Sequence, residues 1–131
     1  YAIDTGLANT IGFRFSQNLG RLAENIIFLE LVRRKTLEKN GLELYYWKDP
    51  QHREVDFVLK EGLKVSQILQ VCWEINRPET RTREIKALLK AMEELKLNEG
   101  FVMTQDLEKE ESIRGRKVRY VPLWRWLCPF G

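Results

Sequence analysis

An α/β domain, with helices packed against a mixed β-sheet, is the fold class this chain predicts, and three observations predict it. A stretch with helical apolar spacing comes first, followed by three strand-like runs, a second helical stretch and two further strand-like runs. The runs 43–48, 54–59 and 65–75 are joined by short, turn-rich connections, which makes them an antiparallel meander. The second helical stretch can return the chain to a strand parallel to the third by a right-handed crossover.

Residues 1–4, YAID, read as a strand end that Thr5-Gly6 breaks. Ser16 is positioned to cap a helix running to about Lys39, with Asn40-Gly41 as its stop. Arg33, Arg34, Lys35 and Lys39 suit the negative end of its dipole. Leu19, Leu22, Ala23, Ile26 and Ile27 follow helical spacing. Phe28, Leu29, Leu31 and Val32 widen the apolar surface, so this helix is expected to be buried on more than one side. Glu24 lies inside the apolar run, where burial without a partner is costly.

Three strands follow, Glu43 to Lys48, Glu54 to Leu59 and Val65 to Ile75, with turns at Asp49-Pro50 and Glu61-Gly62. Pro78 and Thr80 introduce a helix from Arg81 to about Leu97, with Ile85, Leu88, Leu89, Met92 and Leu95 on one stripe. Phe101 to Met103 is a short buried strand and Val118 to Val121 another, with a charged linker from Asp106 to Lys117 between them. The closing PLWRWLCPF supplies one helical turn. Its Trp124, Trp126 and Phe130 either cover the domain's own core or dock another part of a longer polypeptide or a second copy.

A chain of 131 residues is long enough for one hydrophobic core, and 44% hydrophobic with 31% charged residues is ordinary globular composition. No apolar run approaches the roughly 20 residues of a membrane helix. Tyr1-Ala-Ile-Asp is not the opening of a signal peptide, and the start on Tyr rather than Met suggests a piece of something longer. The net charge of +3 is a weak pointer to anionic partners. Basic clusters at 33–35, 77–83 and 114–119 read as solvated faces or as phosphate contacts. Cys72 and Cys128 with a single His, His52 in a turn, exclude a zinc centre built from this chain alone. Two sparse cysteines fit free thiols in a reducing cytoplasm.

The stretch EVDFVLKEGLKVSQILQVCWEI, 54–75, carries the candidate site. Strand alternation puts Glu54, Asp56 and Val58 on one face, with Val55, Phe57 and Leu59 on the other. On the third strand Ile68, Gln70, Cys72 and Glu74 share a face. Polar side chains gathered on adjacent strands suggest a site, and each also has a plain structural reading. Asp56 could bond a turn, Glu24 could sit on a helix surface, and Cys72 could be a small core residue. Arg77, Arg81 and Arg83 open the second helix, where they can meet phosphate or pair with Glu79 and Glu84.

Glu24 in the first helix, Asp56 in the second strand and Gln70-x-Cys72 in the third together resemble the PD-(D/E)XK nuclease fold. The resemblance implies a restriction-endonuclease-like architecture with Asp56, Glu24 and Gln70 around a divalent metal; Glu74, two residues beyond Cys72 on the same face, would substitute as a ligand if the strand is regular there. Phosphodiester hydrolysis needs such a cation to neutralise the phosphate and acidify a water, and Mg²⁺ prefers oxygen ligands. YAIDTGLAN, GRLAENIIFLEL, YYWKDPQHREVDFVL and Arg83-Glu84 narrow the likeness to the C-terminal domain of archaeal and bacterial AAA-type P-loop ATPases. On that pattern 1–12 end a preceding winged-helix segment, 13–131 form the nuclease-like domain, and ATP binds only elsewhere in the polypeptide. No GxxxxGK[ST] occurs in this chain.

The departures from the pattern weigh on activity. Gln70 stands where the pattern has an acid, and Cys72 where it has Lys. A thiol is mostly neutral near pH 7 and supplies no positive charge. The expectation is a degenerate nuclease-like domain that holds Mg²⁺ weakly or not at all. It would bind DNA, through Arg77, Arg81 and Arg83, or its own ATPase part. An active Mg²⁺-dependent DNA endonuclease using Asp56, Glu24 and Gln70, with Glu74 as a further ligand and Cys72 at the position of its catalytic Lys, and a structural dimerisation or docking module, are the alternatives.

Overall fold

A computed structural model describes residues 13–38 and 41–128 of the chain. Helix α1 spans Phe13–Glu38, strands β1, β2 and β3 span Leu42–Lys48, Glu54–Glu61 and Lys64–Val71, and helix α2 spans Pro78–Leu95. Strands β4, β5 and β6 cover Glu99–Thr104, Lys109–Ile113 and Arg116–Pro122, and α3 is a short helix, Leu123–Leu127. The expected strand end at 1–4, the winged-helix boundary at 1–12 and Phe130 lie outside the described residues.

The sheet order is β1-β2-β3-β4-β6-β5. The meander β1-β2-β3 is antiparallel, and α2 carries the chain to β4, which lies parallel to β3 as the connection lengths predict. β6 is parallel to β4 and antiparallel to β5. Two core clusters occupy the two faces. Ala23, Ile27 and Leu31 of α1 meet Phe57, Leu59, Leu69, Val71 and Met103 on one. Ile85, Leu88, Ala91 and Met92 of α2 meet Val58, Ile68, Val102 and Val118 on the other. Burial of each apolar stripe at about 25 cal/mol per Å² is what fixes the helices to the sheet.

Four expectations need correction. Ser16 lies inside α1, which begins at Phe13, so it is not the cap. α1 buries one face only: Ile26, Leu29, Val32 and Leu37 are exposed. β3 ends at Val71, and 72–76 turn towards α2 instead of extending the strand to Ile75. The segment expected as a charged linker holds β5, an edge strand paired to β6 through a two-residue turn at Arg114-Gly115. Both turn residues have positive φ, 52° and 79°, the geometry that matches the twist of a tight hairpin. Charges along β5 pair across to β6, Glu110 with Lys117 and Arg119, and a charged edge resists further strand addition.

Candidate functional site

The site is built on an irregularity in β2. Tyr45 pairs with Val58 and Trp47 with Val55, so Asp56 and Phe57 together stand opposite Tyr46 alone. This bulge turns Val55 to the α2 side with Val58, where strict alternation had placed it with Phe57 and Leu59. On the other side β2 pairs with β3 only as far as Phe57 and Leu69. Beyond that point side chains replace the backbone ladder. The Val71 N–H donates to Asp56 Oδ2 at 2.8 Å, and the Asp56 N–H donates to Gln70 Oε1 at 3.1 Å. Gln70 Nε2 donates to the Glu54 carbonyl at 2.8 Å and to the Glu84 carbonyl of α2 at 3.3 Å.

Gln70 is 0% exposed, and its amide is used on both ends to tie β2, β3 and α2 together. That is the role a buried primary amide can fill and a carboxylate cannot, since Nε2 supplies two donors. Asp56 is the link to α1: its carboxyl is in hydrogen-bonding contact with that of Glu24. Burial, then the charge of Glu24, pushes Asp56 up to about 8. Burial also raises Glu24, against the hydrogen bond from Asp56 and the nearby Arg21 charge. Glu84 is raised too, by burial, with Arg83 opposing. Glu24 and Asp56 act on each other and Glu84 acts on both, so three acids raised by burial form an acidic corner behind β2.

Cys72, expected beside Gln70 on an open face, is 2% exposed in the core cluster with Val58 and Ile68. Its N–H continues to the Met103 carbonyl at 3.0 Å, and burial pushes the thiol up to about 12. Glu74 is not on that face at all, because the strand has ended; it sits in the turn and pairs with Arg77 at 2.9 Å. Among the arginines expected to meet phosphate, Arg83 pairs with Glu84 at 3.4 Å. Arg81 lies over the Tyr120 ring at 5.4 Å and near Glu111 at 3.7 Å. The structure thus sets Glu24 against the Asp56 carboxyl and ties Gln70 to the Asp56 N–H, while Cys72 and Glu74 line a separate cleft with Arg83 and Glu84.

Asp56 Oδ2 and Gln70 Oε1 each accept a backbone N–H, and among the described residues no group of three acidic, His or Cys side chains is spaced to hold an ion. Sequence reasoning named Glu84 only as an arginine partner and within Arg83-Glu84, not beside Asp56, although the helical stripe Ile85, Leu88, Met92 places it one residue from the core side. The signal was present: an acid flanking that stripe, opposite a strand carrying Asp56.

Residues 19–126 match a family described as a domain of unknown function, DUF4143, a domain often found at the C-terminus of AAA ATPases. An uncharacterized protein of the archaeon Methanocaldococcus jannaschii, MJ1544, is 38% identical over 132 residues, which cover 96% of this chain. The chain spans 28% of that relative's length.

Proposed function

This chain belongs to the DUF4143 family, and on that premise we propose that it is a PD-(D/E)XK-like domain that binds without robust catalysis, as the C-terminal module of an AAA-type ATPase. The observation that carries this reading is the burial of Cys72 where the resemblance calls for Lys. A neutral thiol, raised to about 12 and packed against Val58 and Ile68, can neither polarise a water nor meet a phosphate. Its partner is the ATPase part of its own polypeptide. The outward face of α1, with Leu29 58% exposed between Ile26 and Val32, is the apolar surface such a part would cover. The test is cleavage of plasmid and branched DNA with Mg²⁺ or Mn²⁺ against Asp56→Ala. No difference between the two proteins is expected, and nicking that Asp56→Ala abolishes would overturn the reading.

The second reading, a Mg²⁺-dependent endonuclease, is favoured by the acidic corner. Glu24, Asp56 and Glu84 are all raised, an electrostatic cost that a divalent cation relieves. Calorimetry with Mn²⁺ separates the two readings. Millimolar or absent binding is expected, and micromolar binding lost in Asp56→Ala would favour the enzyme. DNA contact on either reading is electrostatic, so affinity falls steeply with salt and is indifferent to sequence.

A further inference from the structure

Helix α2 and the β5–β6 hairpin enclose a groove of about 410 Å³ on the sheet face away from α1. Its floor is apolar: Ile85 and Leu89 from the helix, Ile113 from β5 and the ring of Tyr120. Its rims are basic, with Lys86 and Lys90 on the helix side and Arg114 and Arg116 on the hairpin side. Glu93 and Glu111 are the acids that line it. Several surface cations among the described residues are already matched, as Arg33 and Arg34 are by Glu30 and Arg77 is by Glu74. Lys86, Lys90 and Arg114 are among the described cations with no carboxylate within ion-pair distance, and here they gather around one groove. Glu111 is occupied by Tyr120, Lys109 and Arg81, so it does not neutralise them.

We propose that this groove is a docking site for an acidic amphipathic helix of a protein partner, seated with apolar side chains on Ile85, Leu89 and Ile113 and carboxylates towards both basic rims. The positions on α2 recur at i, i+3, i+4 and i+7 (Lys86, Leu89, Lys90, Glu93), so one helix face presents apolar and cationic groups together. A nucleic-acid backbone would use the cations and leave Leu89 and Ile113 wet. A segment with an apolar stripe and acidic flanks uses both, which is the helix-in-groove mode. Charge on both rims orients the segment and speeds its capture, while the apolar floor holds it. The proposal deepens the reading of the domain as a binding module. It stands away from Glu24 and Asp56, so its failure and the failure of the non-catalytic reading appear in different assays.

The probe is a labelled synthetic helix with Leu at i, i+3, i+4 and i+7 and Glu on the flanks, titrated with the 131-residue chain by fluorescence anisotropy. A scrambled peptide of the same composition and single- and double-stranded DNA are the comparators. Saturable binding that weakens with salt is expected. It should weaken further, by about tenfold, in the Lys86→Glu/Lys90→Glu double variant. Those two side chains are exposed, and Arg114→Glu provides a second reversal on the other rim. Amide shifts of the unaltered protein should map to 85–93 and 113–116. The proposal is overturned by no saturable peptide binding, by equal binding of the scrambled peptide, by DNA binding where the peptide does not, or by shifts that map elsewhere.

Discussion

Replacing Gln70 with Leu removes the amide that joins β2, β3 and α2 while keeping nearly the same volume. Three hydrogen bonds are lost, at 2.8, 3.1 and 3.3 Å. The longest goes to the Glu84 carbonyl inside α2, which the helix ladder also serves, so its loss is the smallest. The other two leave the Asp56 N–H and the Glu54 carbonyl without these partners where the ladder between β2 and β3 has already stopped. An unsatisfied buried polar group costs about 1–3 kcal/mol, so the pair brings the total to about 2–6 kcal/mol. Against a typical domain stability of about 5–15 kcal/mol this is a large fraction. For a chain of this size it corresponds to a fall in Tm of about 6–24 °C. Urea unfolding followed by circular dichroism measures it directly. A loss below about 1 kcal/mol would refute the bridging role and return Gln70 to the status of a replaceable site residue. Gln70→Glu should be at least as damaging without added cation, because it removes both Nε2 donors and adds a carboxylate beside Glu24, Asp56 and Glu84.

Gly100 offers a sharper steric test: a Cβ there would stand 2.9 Å from Met92 Sδ, 3.2 Å from Leu88 Cδ1 and 3.3 Å from Ile68 Cγ2. Gly100→Ala is expected to cost about 1–3 kcal/mol by overpacking between β4 and α2, and a neutral result in thermal unfolding would contradict the close approach. Asp56 titrates higher folded than unfolded, so the native state binds the proton more tightly. Its contribution to stability is complete below about pH 4 and is lost as pH rises to about 8. Denaturation midpoints of the unaltered chain should therefore fall across that window relative to Asp56→Asn, and a relative rise would refute the assignment. Cys72→Lys should melt lower and gain no nicking activity, since an unpaired ammonium in the core costs several kcal/mol. Nicking above an Asp56→Ala background would show a latent site.

Connection lengths and apolar periodicity were enough for the meander, the crossover to a parallel β4 and the stripe of α2, because those features depend on local spacing and chain reach. Glu24, Asp56 and Gln70 were legible as partners from the resemblance and the order of elements. The face each residue takes was not. Asp56 and Phe57 share one opposite residue in β1, and that single extra residue reverses Val55 and aims Asp56 at α1. A bulge is set by pairing with the neighbouring strand, so alternation read along β2 alone does not contain it. β5 escaped for a related reason: its residues are charged, and they become a strand only when β6 supplies the ladder and the opposite charges. The end of β3 at Val71 likewise rests on contacts beyond the strand, since Cys72 turns into the core and takes Glu74 out of the sheet. Sequence by itself determined which segments are helices, which of the longer runs are strands, and that an acid, an amide and a thiol stand at suggestive positions. Tertiary structure decided that the amide is a brace and the thiol a core residue, because burial and hydrogen bonding are properties of what surrounds a side chain.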